Sequence, residues 1–388
     1  MRHLESIDDL LTPYLYDPGI EEEITMSEEP DKLTSRQRLR SGFSHQTLDR
    51  IAMWDSYWGE TLERWYSEGL PRGVDLAEFF GLDRIGGHGC DYSYRLPTKV
   101  IEDTDEYVIN LNNMGMVQKH LKGRAGAPLL LDYLIKSKAD WDYYKPRIDT
   151  STAVERIPRD QLEANRLSTE RGDFVGIWLP DPIWCFFFSC SLKEGLVIMI
   201  EDPDWAREIV DTFTELLVAY LEEMVKSEFH IDGILVYGDI AYNGGPFFSP
   251  RAFDQVLVPS YKRLFGYARK QGWSGMLHSD GDIRLLMPQL CECSIDALHP
   301  FDSKAGMDVR ELKPLYGDKL TFVGNISKDV LSMTKERIEE EVATKITTAK
   351  QGGGYIYHSD HSVPPSVSLE NYLFALECVR KYGSYNTQ

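Results

Sequence analysis

The stretch IDGILVYGD at residues 231–239, with SGMLHSD at 274–280, DALHP at 296–300, FVGN at 322–325 and YIYHSDH at 355–361, decides the fold. Each is an apolar, strand-like run that closes in a polar cluster, and each leads into a stretch of helical spacing. The polar ends at Asp239, His278, His299, Asn325 and His358 fall 39, 21, 26 and 33 residues apart. That is the spacing of βα units, and reacting groups at successive strand ends are what a (β/α)8 barrel gathers at its mouth. The chain reads as an α/β protein with a TIM (β/α)8 barrel, and as an enzyme.

Upstream, DRIAMWD at 49–55 supplies the first strand and RGDFVGIWL at 171–179 another, ending near Leu179. The segment 202–228 has helical apolar spacing, an Asp-Pro start and an acidic first turn. Pro259 should kink or divide the helix opened by Ser249-Pro250, because its ring removes a backbone bond. Gly86-Gly87-His88-Gly89 lacks phosphate-loop spacing and reads as a loop, whereas Gly352, Gly353 and Gly354 precede the last strand and belong at the bottom face. Residues 1–48 read as an N-terminal helical extension whose acidic run at 19–32 is a solvated face, and the barrel takes 49–388. Alternation between about 97 and 121 predicts an inserted β-hairpin that would shape or cover the mouth.

The formal charge of −20 excludes a nucleic acid or an anionic membrane as partner, since both demand a basic footprint. Six cysteines without a CxxC pair do not make a disulfide scaffold. The start MRHLESIDDLLTPY lacks an apolar signal region, and the longest apolar runs are too short for a bilayer, so a reduced cytoplasmic setting is expected. Without secretion, the sequon Asn325-Ile-Ser327 is a coincidence of spelling.

His278 and Asp280 are two apart, so both leave one face of a strand, and Gly281 permits the turn that follows. With His361 they offer two nitrogens and one oxygen, a set suited to zinc with an open position and also to non-haem iron. The plainer reading is that His278 and Asp280 bond one another or cap the next helix. Asp239 is placed to accept a proton or orient a water, or only to bond the amides of the glycine-containing loop. Asp55, Tyr57 and Trp58 after the first strand, with His299, Asn325 and His358, are expected to contact a small-molecule substrate. His299 is equally a wall histidine, and the Asn325 amide equally a bridge between loops. Cys291 and Cys293, read within one helix, are core fillers.

From about Asp49 to Gly383 the chain resembles the uroporphyrinogen decarboxylase superfamily, which also contains corrinoid-linked methyltransferases. The resemblance rests on IDGILVYGD, the segment from Ser249-Pro250 through GMLHSDGDIRLLMPQL, IDALHPF, FVGNIS and GGGYIYHSDHSVPPSVSLENY. It implies a TIM barrel. The true decarboxylases place an arginine-rich segment after the first strand to bind many carboxylates, but here MWDSYWGETLERW brings Asp55 and Glu60 and no arginine before Arg64. The methyltransferase members write their zinc site as HxC with a later cysteine. His278 matches the histidine, while Asp280 and His361 stand where the two cysteines would be. The resemblance thus implies a corrinoid-dependent methyltransferase or demethylase of a small, methoxylated substrate, with cobalamin supplied in trans by a corrinoid protein or free in solution. Zinc is the metal expected, iron the second choice, and a homodimer the expected assembly. Two alternatives stand beside it: a metal-free decarboxylase of a small aromatic or heteroaromatic acid, with Asp239 or Asp55 stabilising a cationic intermediate, and a non-catalytic corrinoid or small-molecule binder.

Overall fold

The computed structural model describes residues 33–123 and 128–385. The acidic run at 19–32 therefore lies outside the described residues. Eight parallel strands follow one another in the order of the chain: β1 Ala52–Met53, β2 Ile85–His88, β3 Phe174–Pro180, β4 Gly233–Tyr237, β5 Ser274–His278, β6 Ala297–His299, β7 Thr321–Val323 and β8 Tyr355–Tyr357. Ladders run from β2 through β8 and on to β1. This is the TIM barrel that the strand-end pattern predicts.

At the remaining seam, between β1 and β2, one residue replaces a ladder. The Asp83 amide donates to the Met53 carbonyl at 2.6 Å, and the Met53 amide donates to Asp83 Oδ2 at 2.8 Å. The same carboxylate accepts from Arg38 Nη1 at 2.6 Å and Arg50 Nη1 at 2.8 Å.

Side chains of a strand alternate between faces. Ala52, Trp54, Ile85, Phe174, Leu235, Met276, Ala297, Val323 and Ile356 form the barrel interior. Their neighbours Met53, Ile177, Val236, Leu277, Leu298, Phe322 and Tyr357 join the outer core shared with the helices. The helix Ser35–Phe43, opened by a Thr34 capping box, closes the lower end. Leu39 and Phe43 enter the interior cluster, Phe43 packing on Phe174 with ring centroids 5.4 Å apart. Thr321 Oγ1, at the start of β7, donates to the Gly42 carbonyl at 3.0 Å. Gly353 and Gly354 also lie at this end, where a Cβ on either would meet His45.

Three expectations change. Gly86 and Gly87 do not form a loop but lie in β2, where a Cβ on Gly87 would sit 2.1 Å from the Gly176 carbonyl oxygen. The inserted hairpin is half of a four-stranded antiparallel sheet formed by Lys99–Asp103, Tyr107–Leu111, Val117–Leu121 and Leu129–Asp132. Its turn is anchored by the buried Met114 and Met116, while Val100, Ile101, Leu121 and Leu129 stay exposed. Cys291 and Cys293 follow the short helix Met287–Leu290 and do not lie within it; all six cysteines are free thiols. Pro259 acts as expected, since the helical segment divides at Leu257 into Pro250–Val256 and Val258–Lys270.

Among the described residues no single helix is long and apolar enough to cross a membrane. The apolar pair Pro182–Cys190 and Leu192–Glu201 meets that test only when joined, and it is bent by 107°.

Candidate active site

Alternation raises a ring of inward side chains at the C-terminal end of the barrel. His278 ends β5 in register with Tyr237 of β4 and His299 of β6. His358 follows Ile356 by two and Trp54 follows Ala52 by two, so both continue the interior face. The Trp54 indole stacks on His299 with centroids 5.4 Å apart and lies 4.3 Å from His358. These groups form a floor of indole and imidazole.

Burial pushes His299 well below the ordinary histidine range, and the neighbouring imidazoles of His358, His278 and His361 push the same way. Burial also lowers His358, against the pull of the nearby Asp55 carboxylate. Both shifts favour the neutral imidazole. His358 Nδ1 donates to the Ser359 carbonyl at 2.6 Å, which leaves Nε2 to accept from Ser56 Oγ at 3.3 Å. His299 Nδ1 shares a proton with His278 Nδ1 across 2.7 Å, while its buried Nε2 has no partner among the described residues.

Above the floor stand Asp239, His278 and Asp280, with one ligand atom of each within 4.8 Å of the others. The Asp280 amide donates to Asp239 Oδ1 at 2.8 Å, and Trp184 Nε1 donates to the Asp239 carbonyl at 2.7 Å. His278 Nε2 lies 3.9 Å from Asp239 Oδ1, and His361 Nε2 lies 3.6 Å from Asp280 Oδ2. Burial raises the Asp239 carboxyl above its usual range, His278 opposes the rise, and Asp280 adds to it. The turn beneath needs Gly281: its φ is 85°, and a Cβ there would come 2.6 Å from the Tyr242 amide nitrogen. Among the described residues the ion pairs of these two carboxylates run to histidines, not to arginine or lysine.

The donor set fits a divalent cation. It combines two carboxylates with one imidazole, and Asp280 Oδ1 is buried without a hydrogen-bond partner among the described residues. His361 sits at the rim, stacked on Trp58 with centroids 5.7 Å apart and an interplanar angle of 18°.

Several expected substrate contacts are held by the frame instead. Asp55 follows the inward Trp54 by one and so points outward. Its carboxylate accepts from Tyr357 Oη at 3.1 Å, Tyr372 Oη at 3.2 Å and Ser359 Oγ at 2.5 Å. Tyr57 is buried and bonds Tyr372 Oη at 2.9 Å. Asn325 follows the inward Val323 by two, but Gly324 and Asn325 take φ of 110° and 72° and turn the amide away. It then accepts from the Val309 amide at 2.9 Å and donates to the carbonyls of Phe301 and Met307. Asp360 is likewise buried, accepting from the Lys328 amide at 2.9 Å. His299 and His358 lie in the floor, and Trp58 stands at the rim.

Sequence reasoning passed over Asp181, at the end of β3. Its fully buried carboxyl accepts from the Ile183 amide at 3.0 Å and from Tyr261 Oη, and burial pushes it up to about 7. Asp181-Pro182 after FVGIWLP repeats the pattern of an apolar run closing in a carboxylate, and that signal was available in the sequence.

A family model described as uroporphyrinogen decarboxylase (URO-D) matches residues 189–382, half of the chain and all of β4 to β8. The uroporphyrinogen decarboxylase of Actinobacillus succinogenes is 22% identical over 194 residues, 48% of this chain and 51% of that protein. That of Hydrogenovibrio crunogenus is 33% identical over 187 residues, 47% of this chain and 50% of that protein. The chain thus spans about half the length of these curated relatives. Among solved structures, a methyltransferase from Methanosarcina mazei superposes over 90% of this chain and 99% of its own, with a TM-score of 0.64 and 17% identity. That likeness is one of fold.

Proposed function

Because the chain belongs to the uroporphyrinogen decarboxylase family, a family of enzymes, we propose that its barrel mouth transfers a methyl group between a small oxygen-bearing molecule and a corrinoid supplied in trans. The observation that carries this reading is the cluster of Asp239, His278 and Asp280 over a neutral floor of Trp54, His299 and His358. A polycarboxylate would meet two carboxylates there, and among the described residues neither is paired with an arginine or lysine to offset the repulsion. A neutral methyl ether or methanol-like compound meets no such repulsion, and the apolar rings favour its methyl group. The fold shared with a solved methyltransferase supports the same reading.

A divalent cation held at His278 and Asp280 would supply Lewis-acid polarisation of the substrate oxygen. The residues do the rest. Asp239, fixed by the Asp280 amide, orients the substrate. Trp54 and Trp58 flank it and exclude water. In the demethylating direction the methyl C–O bond breaks, a corrinoid supplied in trans would accept the methyl group, and His361 at the rim gives the leaving oxygen its proton.

The test is anaerobic incubation with reduced cobalamin and a panel of methoxylated compounds and alcohols, followed by the change in corrinoid absorption on methylation. Turnover that His278→Ala abolishes is the expected result, and undiminished turnover in that variant removes His278 from the mechanism. A second reading, decarboxylation, draws on the names of the curated relatives. It requires carbon dioxide release from an aromatic or heteroaromatic acid without cobalamin.

A further inference from the structure

Resting on the reading that the mouth holds a divalent cation, we infer that Asp239 orients the substrate as the third ligand to that cation, beside His278 and Asp280, and that His361 stands outside the set. This departs from the set His278, Asp280 and His361 that the family's HxC spacing implies.

The three residues present ligand atoms mutually within 4.8 Å, so small side-chain rotations bring them within the roughly 4.4 Å that two metal–ligand bonds of about 2.2 Å can span. Each is fixed by a contact behind it, as ligands are when outer hydrogen bonds orient them. Asp239 is held through Oδ1 by the Asp280 amide and through its carbonyl by the Trp184 indole, and that same Oδ1, 3.9 Å from His278 Nε2, keeps a second lone pair for a cation. His278 spends Nδ1 on His299, which leaves Nε2 on the side of Asp239. Asp280 meets His361 through Oδ2, while its Oδ1 is buried with no donor among the described residues. A shielded carboxylate oxygen without a donor is costly, and a cation removes that cost.

His361 is committed elsewhere. Its ring lies flat on Trp58, and its Nε2 faces Asp280 Oδ2. That is the position of a group that orients a ligand carboxylate and delivers a proton at the rim. The set that remains, two carboxylates and one imidazole, is harder than any set containing thiolates. It favours substrates that present oxygen over those that present sulfur, and it accepts manganese as well as zinc.

The experiment is equilibrium dialysis of the full chain against Mn2+ and, separately, Zn2+, with bound metal counted and bound Mn2+ read by electron paramagnetic resonance. Wild type is compared with Asp239→Asn, Asp280→Asn, His278→Gln, His361→Gln and His361→Ala. One cation per chain is expected in wild type. The dissociation constant should rise by more than about 100-fold in the first three variants, and by no more than about tenfold in either His361 variant. Circular dichroism and thermal midpoints show which variants are folded, and the paired His361 substitutions keep the comparison decisive if one is not. Retention of metal by Asp239→Asn with loss in both His361 variants overturns the assignment, as does a wild type that binds neither ion. Substrate and corrinoid are absent from this measurement. Metal binding as expected without methyl transfer therefore leaves the ligand set standing and removes the proposed reaction. Methyl transfer by a metal-free protein does the reverse.

Discussion

Replacing Asp83 with asparagine should open the seam of the barrel. The carboxylate is 1% exposed and carries two guanidinium contacts, with Arg38, itself 2% exposed, at 2.6 Å and Arg50 at 2.8 Å. It also receives the Met53 amide, the only side-chain bridge described between β1 and the segment entering β2. Breaking a buried ion pair by removing one partner costs about 3–5 kcal/mol, because the other charge is left without compensation. Arg38 keeps a second carboxylate, Asp49 at 2.6 Å, which partly offsets the loss. The expected cost is therefore near the lower limit, about 3 kcal/mol. The assay is urea unfolding of wild type and Asp83→Asn, with Glu63→Gln as a control. Glu63 pairs with Arg72 on the surface, where the two side chains are 65% and 66% exposed, so the control should leave the midpoint unchanged. An Asp83→Asn midpoint equal to that of wild type would refute the claim that this carboxylate closes the barrel.

Two further perturbations test the frame. Asp181 is raised from an ordinary 3.8 to about 7 by burial, so folding favours its protonated form. That contribution is complete below the unfolded value and is lost as pH rises to about 7, at about 1.4 kcal/mol per pH unit. Asp181→Asn should accordingly flatten the fall in urea midpoint between pH 4 and pH 7, and a parallel fall in both proteins would show that Asp181 does not titrate there. Phe43→Ala removes a 7%-exposed ring from the lower plug and should cost about 3 kcal/mol by leaving a cavity against Phe174. A thermal midpoint unchanged by Phe43→Ala would place the helix Ser35–Phe43 outside the cooperative core.

The strand ends were legible because five apolar runs each close in a polar residue, and the structure puts Asp239, His278, His299 and His358 at the ends of β4, β5, β6 and β8. What the pattern could not tell was parity. Trp54 and Asp55 are adjacent, so one faces the interior and the other the helices, and only packing decides which. A large ring belongs inside a barrel and a carboxylate can be satisfied by outer tyrosines. Asp55 therefore serves Tyr357 and Tyr372 rather than substrate. Asn325 escaped for a different reason. Two successive residues at positive φ reverse its direction, and a strand count does not register that. β2 was missed because its Gly-Gly pair lacks the branched residues that announce a strand, yet those glycines are what lets β2 approach β3.

The helix Ser35–Phe43 stoppers the lower end of the barrel with Leu39 and Phe43. Among the described residues the lower end is thereby closed, and the His299 floor is reached from the mouth, past Trp58 and His361. Substrate and product that share that doorway compete for it, so product inhibition should be competitive with substrate. Under the proposed methyl transfer, a corrinoid docked over that doorway would impose an order on turnover, with the small molecule seated before the large one arrives and released only after it leaves.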